Sequence, residues 1–158
     1  MTMIQHVSIP ADDTRKTAAV FAEMMQGEAL PFPPAGPNGW KVWSGDGDID
    51  LEIVPRGAMI HDEGTQASWR AGGAASRLTE VHLAVCVNRP EAEIIAIAEK
   101  AGWPARHCAR GGGFFSLVEV WVDGCFLIEF LDPAQARQYK ERVTAAGWKK
   151  KLAEMGAA

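Results

Sequence analysis

The strongest constraint on this chain is that it repeats itself. The first segment runs Ile4-Gln-His6-Val-Ser-Ile9, a helical stretch ending at Gly27, Trp43, Asp46-Gly47, and Asp50-Leu-Glu52-Ile-Val54. The second runs Glu80-Val-His82-Leu-Ala-Val85, a helical stretch ending at Gly102, Trp121, Asp123-Gly124, and Leu127-Ile-Glu129-Phe-Leu131. His6 and His82 are 76 positions apart, Gly27 and Gly102 are 75, and both Asp46/Asp123 and Glu52/Glu129 are 77. Four matches in one order mark two copies of a single module, and any fold must accommodate the pair.

Each module reads as β-α-β-β-β. Residues 2–9 alternate and stop at Pro10, a strand pattern. Asp12 or Asp13 caps a helix to about Gln26, with Ala18, Phe21 and Met25 on one face and Gly27 as its stop. The second strand is poorly defined near 28–32, and 30–39 is rich in proline and glycine. Strands follow at 41–44 and 48–54, around Gly45–Gly47. In the second module, 78–87 is a strand. Asn88 and Pro90 open a helix closed by Gly102, and 105–109 form a short strand. Strands 114–122 and 125–131 meet at Asp123-Gly124, a two-residue hairpin turn that pairs Val118 with Glu129 and sends Trp121 to the opposite face. Asp132 and Pro133 start a helix over about 134–146 that Gly147 ends, with Lys149–Lys151 as a solvated tail. The expected organisation is module one over 2–55, a linker over 56–77 in which Trp69 docks, and module two over 78–133. Residues 1–133 thus form one domain, and 134–158 a C-terminal helix and tail.

Composition narrows the function classes. The chain has 158 residues, 47% hydrophobic and 23% charged, which suits one folded domain. No apolar run approaches the roughly 18 residues that span a bilayer, and the N-terminus lacks a signal-peptide pattern. The net charge of −4, with both signs interspersed, gives no basic footprint for nucleic acid. Three widely spaced cysteines suit a reducing cytoplasm rather than a disulfide framework. Neither a serine nucleophile elbow nor a Cys-x-x-Cys pair occurs.

The chemistry lies in the repeat. Alternation puts Ile4, His6 and Ser8 on one strand face, and Glu80, His82, Ala84 and Cys86 on another. Asp50, Glu52 and Val54 share a face, as do Leu127, Glu129 and Leu131. Glu129 interrupts an apolar strand, and a buried carboxylate there needs a metal ion, an arginine or a water-filled cavity beside it. A lone strand histidine or glutamate reads as structural or solvated. The repeated pairing sets His6, Glu52, His82 and Glu129 apart as an N2O2 set for one divalent ion per site, Zn, Ni, Co, Fe or Mn. Open positions on such an ion would hold adjacent substrate oxygens and stabilise an enolate. His61 in the linker and His107 in a loop-like stretch read as exposed, and Cys86 as a small core residue. Arg106 and Arg110 are candidates to meet an anionic substrate. Trp40, Trp43 and Trp121 either line an aromatic cleft or belong to the core.

With Gln5-His6-Val7, Val81-His82-Leu83, Leu51-Glu52-Ile53 and Ile128-Glu129-Phe130 in this modular order, the chain resembles the vicinal oxygen chelate superfamily over about residues 2–133. That superfamily includes glyoxalase I, methylmalonyl-CoA epimerase, extradiol dioxygenases, and fosfomycin and bleomycin resistance proteins. The resemblance implies an α+β fold, with paired modules forming a curled mixed sheet around a metal site. The ligand pattern is similar to bacterial glyoxalase I. This implies a glyoxalase-like lyase or isomerase that binds vicinal oxygens of a small substrate and moves a proton, with Glu129 as proton shuttle and Glu52 as second carboxylate. An epimerase, a dioxygenase, or a non-catalytic binding or resistance protein are the alternatives. The Asp-Pro-Asp-Gly turn of the family is reduced here to Asp123-Gly124 and Asp46-Gly47. Modules pair within a chain or between chains, and the long linker favours a homodimer.

Overall fold

The computed structural model describes residues 6–62, 67–73 and 82–154. Module one comprises β1 (His6–Ala11), α1 (Thr14–Met24), β2 (Glu28–Pro31), β3 (Trp40–Trp43) and β4 (Asp50–Pro55). Its sheet has the order β1-β4-β3-β2, with β1 and β4 parallel and the other pairs antiparallel. Asp13 caps α1 by accepting from the Lys16 N–H, and Thr14, Thr17, Ala18, Phe21 and Met24 are buried at helical spacing. Two antiparallel strands, β5 (Met59–Asp62) and β6 (Ala67–Arg70), lie in the expected linker. Half-buried Trp69 there lines a cavity with Pro37, Pro55 and Arg56. Module two comprises β7 (Leu83–Cys86), α2 (Glu91–Lys100), β8 (Ala105–Arg110), β9 (Phe115–Val122) and β10 (Phe126–Leu131). Its sheet order, β7-β10-β9-β8, repeats the first, again with one parallel pair, β7 and β10. The expected paired β-α-β-β-β architecture is thus present as two mixed sheets that do not close on one another. The expected start of the seventh strand, 78–81, lies outside the described residues, as do Ile4 and Glu80. Among the described residues, no helix is long and apolar enough to cross a membrane.

One apolar cluster joins the modules. It takes Ile9, Val42, Leu51 and Ile53 from the first sheet, Val118, Val120, Phe126, Ile128 and Phe130 from the second, and the inner faces of α1 and α2. Phe21 reaches across, with its ring 5.9 Å from Trp103 and 6.0 Å from Phe130. Polar contacts cross at the rim. The Asp12 N–H donates to Asp123 at 2.7 Å, and the buried Arg56 guanidinium pairs with Asp12 at 2.6 Å and Asp123 at 3.3 Å. With one sheet face given to this core, side chains on the other face of each strand must look outward.

The β9–β10 hairpin departs from the sequence expectation. Its turn takes in Cys125 as well as Asp123-Gly124, so Val122 pairs with Phe126 and Glu129 pairs with Glu119, not with Val118. Gly124 donates to the Trp121 carbonyl and Cys125 to that of Val122. The physical reason is burial. This register lines up Val118, Val120 and Val122 with Phe126, Ile128 and Phe130 on the core side, whereas a two-residue turn would offset the sets by one position. Trp121 therefore shares the outward face of Glu129.

The C-terminal region also differs. A capping box of Asp132 and Gln135 opens α3 (Pro133–Arg142), which covers one end of the outward face of module two. Tyr139 meets Phe115 edge-on at 5.0 Å, and the Ser116 N–H donates to Gln138. The chain then turns into a second helix, α4 (Ala145–Glu154). Gly147 does not end a helix; it lies in the first turn of α4, where a Cβ would fall 2.0 Å from the Arg142 carbonyl oxygen. Lys149–Lys151 are on α4, with Lys151 near Glu154 and over the Phe114 ring. Cys86 is exposed rather than in the core, because it lies on the outward face of β7 with Ala84, opposite the buried Val85. His107 is exposed as expected, but it sits in β8 and pairs with Glu91 at 2.8 Å. Trp40, Trp43 and Trp121 are all half-buried.

Candidate functional site

The outward faces carry two half-sites built alike. In module one, parallel pairing sets Ser8 of β1 beside Glu52 of β4, with His6 two residues earlier on the same face. The His6 Nε2 lies 3.9 Å from Glu52 Oε1, and the Ser8 hydroxyl donates to Glu52 Oε2 at 2.7 Å. Lys41, the cross-strand partner of Glu52 on β3, places its ammonium 3.5 Å from Glu52 and 3.1 Å from Asp50. Glu52 is buried and His6 is half-exposed.

In module two, Ala84 of β7 stands beside Glu129 of β10, and His82 lies two residues earlier. The His82 Nε2 is 3.9 Å from Glu129 Oε2, the same separation as in module one. The hydroxyl of Ser8 has no counterpart at Ala84. Instead Arg110 of β8 donates through Nη2 to Glu129 at 2.8 Å and to Glu119 at 2.6 Å. Glu119 is only 3% exposed. Its second oxygen takes the guanidinium of Arg106 and, at 3.4 Å, the indole N–H of Trp121. Burial pushes the Glu119 carboxyl up, but the Trp121 N–H, Arg110, Arg106 and the Cys108 thiol together outweigh that and hold it below its ordinary value. The bond to Glu129 raises the Arg110 guanidinium further, so the arginine stays charged.

The structure brings the four expected ligands together as two pairs, His6 with Glu52 and His82 with Glu129. Among the described residues, no group of three or more candidate ligands converges within one chain. Each pair fits a divalent ion, offering an imidazole nitrogen and a carboxylate oxygen. Sequence reasoning missed Glu119 and Lys41. Glu119 interrupts Leu117-Val-Glu-Val120 as Glu129 interrupts its own strand, so the same argument applied to β9 would have found it.

Two four-stranded mixed sheets, each from one β-α-β-β-β unit with one parallel pair, make up the vicinal oxygen chelate fold. Solved structures of that fold match this chain. Fosfomycin resistance protein FosX from Listeria monocytogenes is 13% identical, with 89% of this chain and 98% of that chain covered and a TM-score of 0.57. FosX from Mesorhizobium loti is 10% identical, with 89% and 98% covered and a TM-score of 0.53. Lactoylglutathione lyase from Agrobacterium tumefaciens is 13% identical, with 84% and 95% covered and a TM-score of 0.55. The Listeria protein has been solved in complex with Mn(II) and sulfate. No protein-family model and no curated protein matches the sequence.

Proposed function

We propose that this protein is a metal-dependent enzyme of the glyoxalase-like type. It acts on a small substrate with vicinal oxygens and moves a proton beside a carbonyl. The observation that carries the reading is the duplicated His–Glu pair, at the same 3.9 Å separation on the outward faces of two matched modules. His6, Glu52, His82 and Glu129 would hold one divalent ion, which when bound supplies Lewis-acid polarisation of a substrate oxygen. The Mn(II) complex of a FosX structure with this fold supports a metal of that kind. Glu129 takes and returns the proton, Glu52 supplies the second carboxylate, and Ser8 and Lys41 fix the Glu52 head. The separation of the two pairs within one chain favours a homodimer, in which module one of one chain faces module two of its partner.

Metal analysis of protein purified without chelator, followed by calorimetric titration of Mn(II), Ni(II) and Zn(II), tests the site. One ion per two pairs is expected, with loss of binding in Glu129→Gln. A chain that carries no metal and takes none up refutes the reading. Mixing His6→Ala with His82→Ala chains tests the dimer, because heterodimers regain one intact site only if ligands come from both chains.

A second reading has one observation in its favour. Trp43 and Trp121 share the outward faces of Glu52 and Glu129, the arrangement of an aromatic cleft in a non-catalytic binding protein. Tryptophan quenching by aromatic ligands, independent of metal and without turnover, would select it.

A further inference from the structure

The half-sites agree in their His–Glu pairs and differ in what stands opposite the glutamate. Opposite Glu52 is a cation, Lys41; opposite Glu129 is another carboxylate, Glu119. Module two takes its positive charge from the next strand, where Arg106 and Arg110 alternate onto the same face. Glu119 is too enclosed to meet a ligand itself. Its oxygens are committed to Arg106, Arg110 and Trp121, and removing so buried a carboxylate from water is costly unless such partners compensate. What Glu119 does is hold two long, partly exposed side chains in place on the outward face of the sheet. The Arg106 side chain is 61% exposed and that of Arg110 is 35% exposed. Both Arg110 contacts run through Nη2, one corner of its planar fork. A guanidinium fork fits the two oxygens of a carboxylate or phosphate, and pre-ordering lowers the entropy lost on binding.

We propose that Arg106 and Arg110, anchored by Glu119, form an oxyanion-binding subsite beside Glu129, so that the substrate carries a carboxylate or phosphate-type group. Glu119 is a positioning residue in this scheme. Charge balance supports it. Summed over the two half-sites, Lys41 pairs with Asp50 and Glu52, and Arg106 and Arg110 pair with Glu119 and Glu129, one negative charge in excess. A divalent ion converts this to one positive charge, which a monoanionic substrate neutralises. The balance rests on the metal-site reading above; the arginine pair does not.

The test is calorimetric titration of the Mn(II)-loaded and the chelator-treated chain with benzoate, inorganic phosphate and the neutral isostere benzamide. Benzoate or phosphate is expected to bind at least about ten-fold more tightly than benzamide, the size of one charge-assisted hydrogen bond. Whichever of the two binds more tightly identifies the group. Arg106→Ala should lose that advantage while still binding Mn(II), and Arg106→Lys should recover only part of it. Glu119→Gln should weaken the anion without affecting benzamide. Equal binding of benzoate and benzamide, or an Arg106→Ala chain with undiminished anion affinity, overturns the proposal. Failure to bind Mn(II) defeats the metal reading alone, because the anion titrations of the chelator-treated chain still report on the arginines.

Discussion

Replacing Phe21 by alanine tests whether the two modules share one core. Phe21 is fully buried on α1 of module one, yet its ring partners, Trp103 and Phe130, belong to module two. Truncating a buried phenylalanine costs about 3–5 kcal/mol, combining lost transfer energy with the cavity left behind. Relaxation is restricted here, because the site is walled by a helix and two aromatic rings from the other module, which favours about 4 kcal/mol. With a urea slope of about 2 kcal/mol/M, the unfolding midpoint should fall by about 2 M with the slope unchanged. Urea titrations followed by far-ultraviolet circular dichroism and by tryptophan fluorescence, at one protein concentration, measure this. Glu23→Ala, an exposed neighbour on the same helix, should stay within about 0.5 kcal/mol. A midpoint shift under about 0.5 M, or two separate transitions in the parent chain, would refute a shared core.

Three further outcomes follow from particular contacts. The Glu119 carboxyl is held below its ordinary value in the folded chain, so its stabilisation is complete above the unfolded glutamate range and is lost as pH falls through the folded value. Acid titration of the urea midpoint below about pH 4.3 should therefore fall less steeply in Glu119→Gln than in the parent. Arg56→Met removes a guanidinium whose side chain is 6% exposed and which bridges the modules. A loss of about 2–3 kcal/mol is expected, discounted because its partner Asp12 is 42% exposed, and thermal unfolding at fixed concentration measures it. Gly147→Ala forces a Cβ to within 2.0 Å of the Arg142 carbonyl, so the α3–α4 turn must shift. A loss of at least about 1 kcal/mol, with faster amide exchange confined to α3 and α4, is expected.

The His–Glu pairs were legible because two physical regularities write them into the chain. Strand alternation assigns faces, and a near-constant repeat offset matches His6 to His82 and Glu52 to Glu129. Helix boundaries were legible at Asp13 and Asp132, where side-chain capping acts within a few residues, and at Pro90, whose fixed φ opens α2 without a side-chain cap. The role of Glu119 was not, because it turns on one residue of hairpin width. Asp123-Gly124 suits a two-residue turn by local rules, and Cys125 joins it only because the valines of β9 must face the core beside Phe126, Ile128 and Phe130. Cys86 is a small apolar residue of the kind that fills cores, yet it lies exposed on the outward face of β7. At Gly147, a glycine that ordinarily stops a helix instead admits the Arg142 carbonyl.

By itself, then, the sequence determined the two-module architecture, the strand faces, and the histidine and glutamate that each module presents. These depend on residue type and on spacings within a few positions. The tertiary structure alone decided that both helices serve one core, that Glu119 rather than Val118 stands opposite Glu129, and that Arg106 and Arg110 gather around it. These depend on which apolar sets are buried together, and a one-residue change of register exchanges every side chain between core and open face.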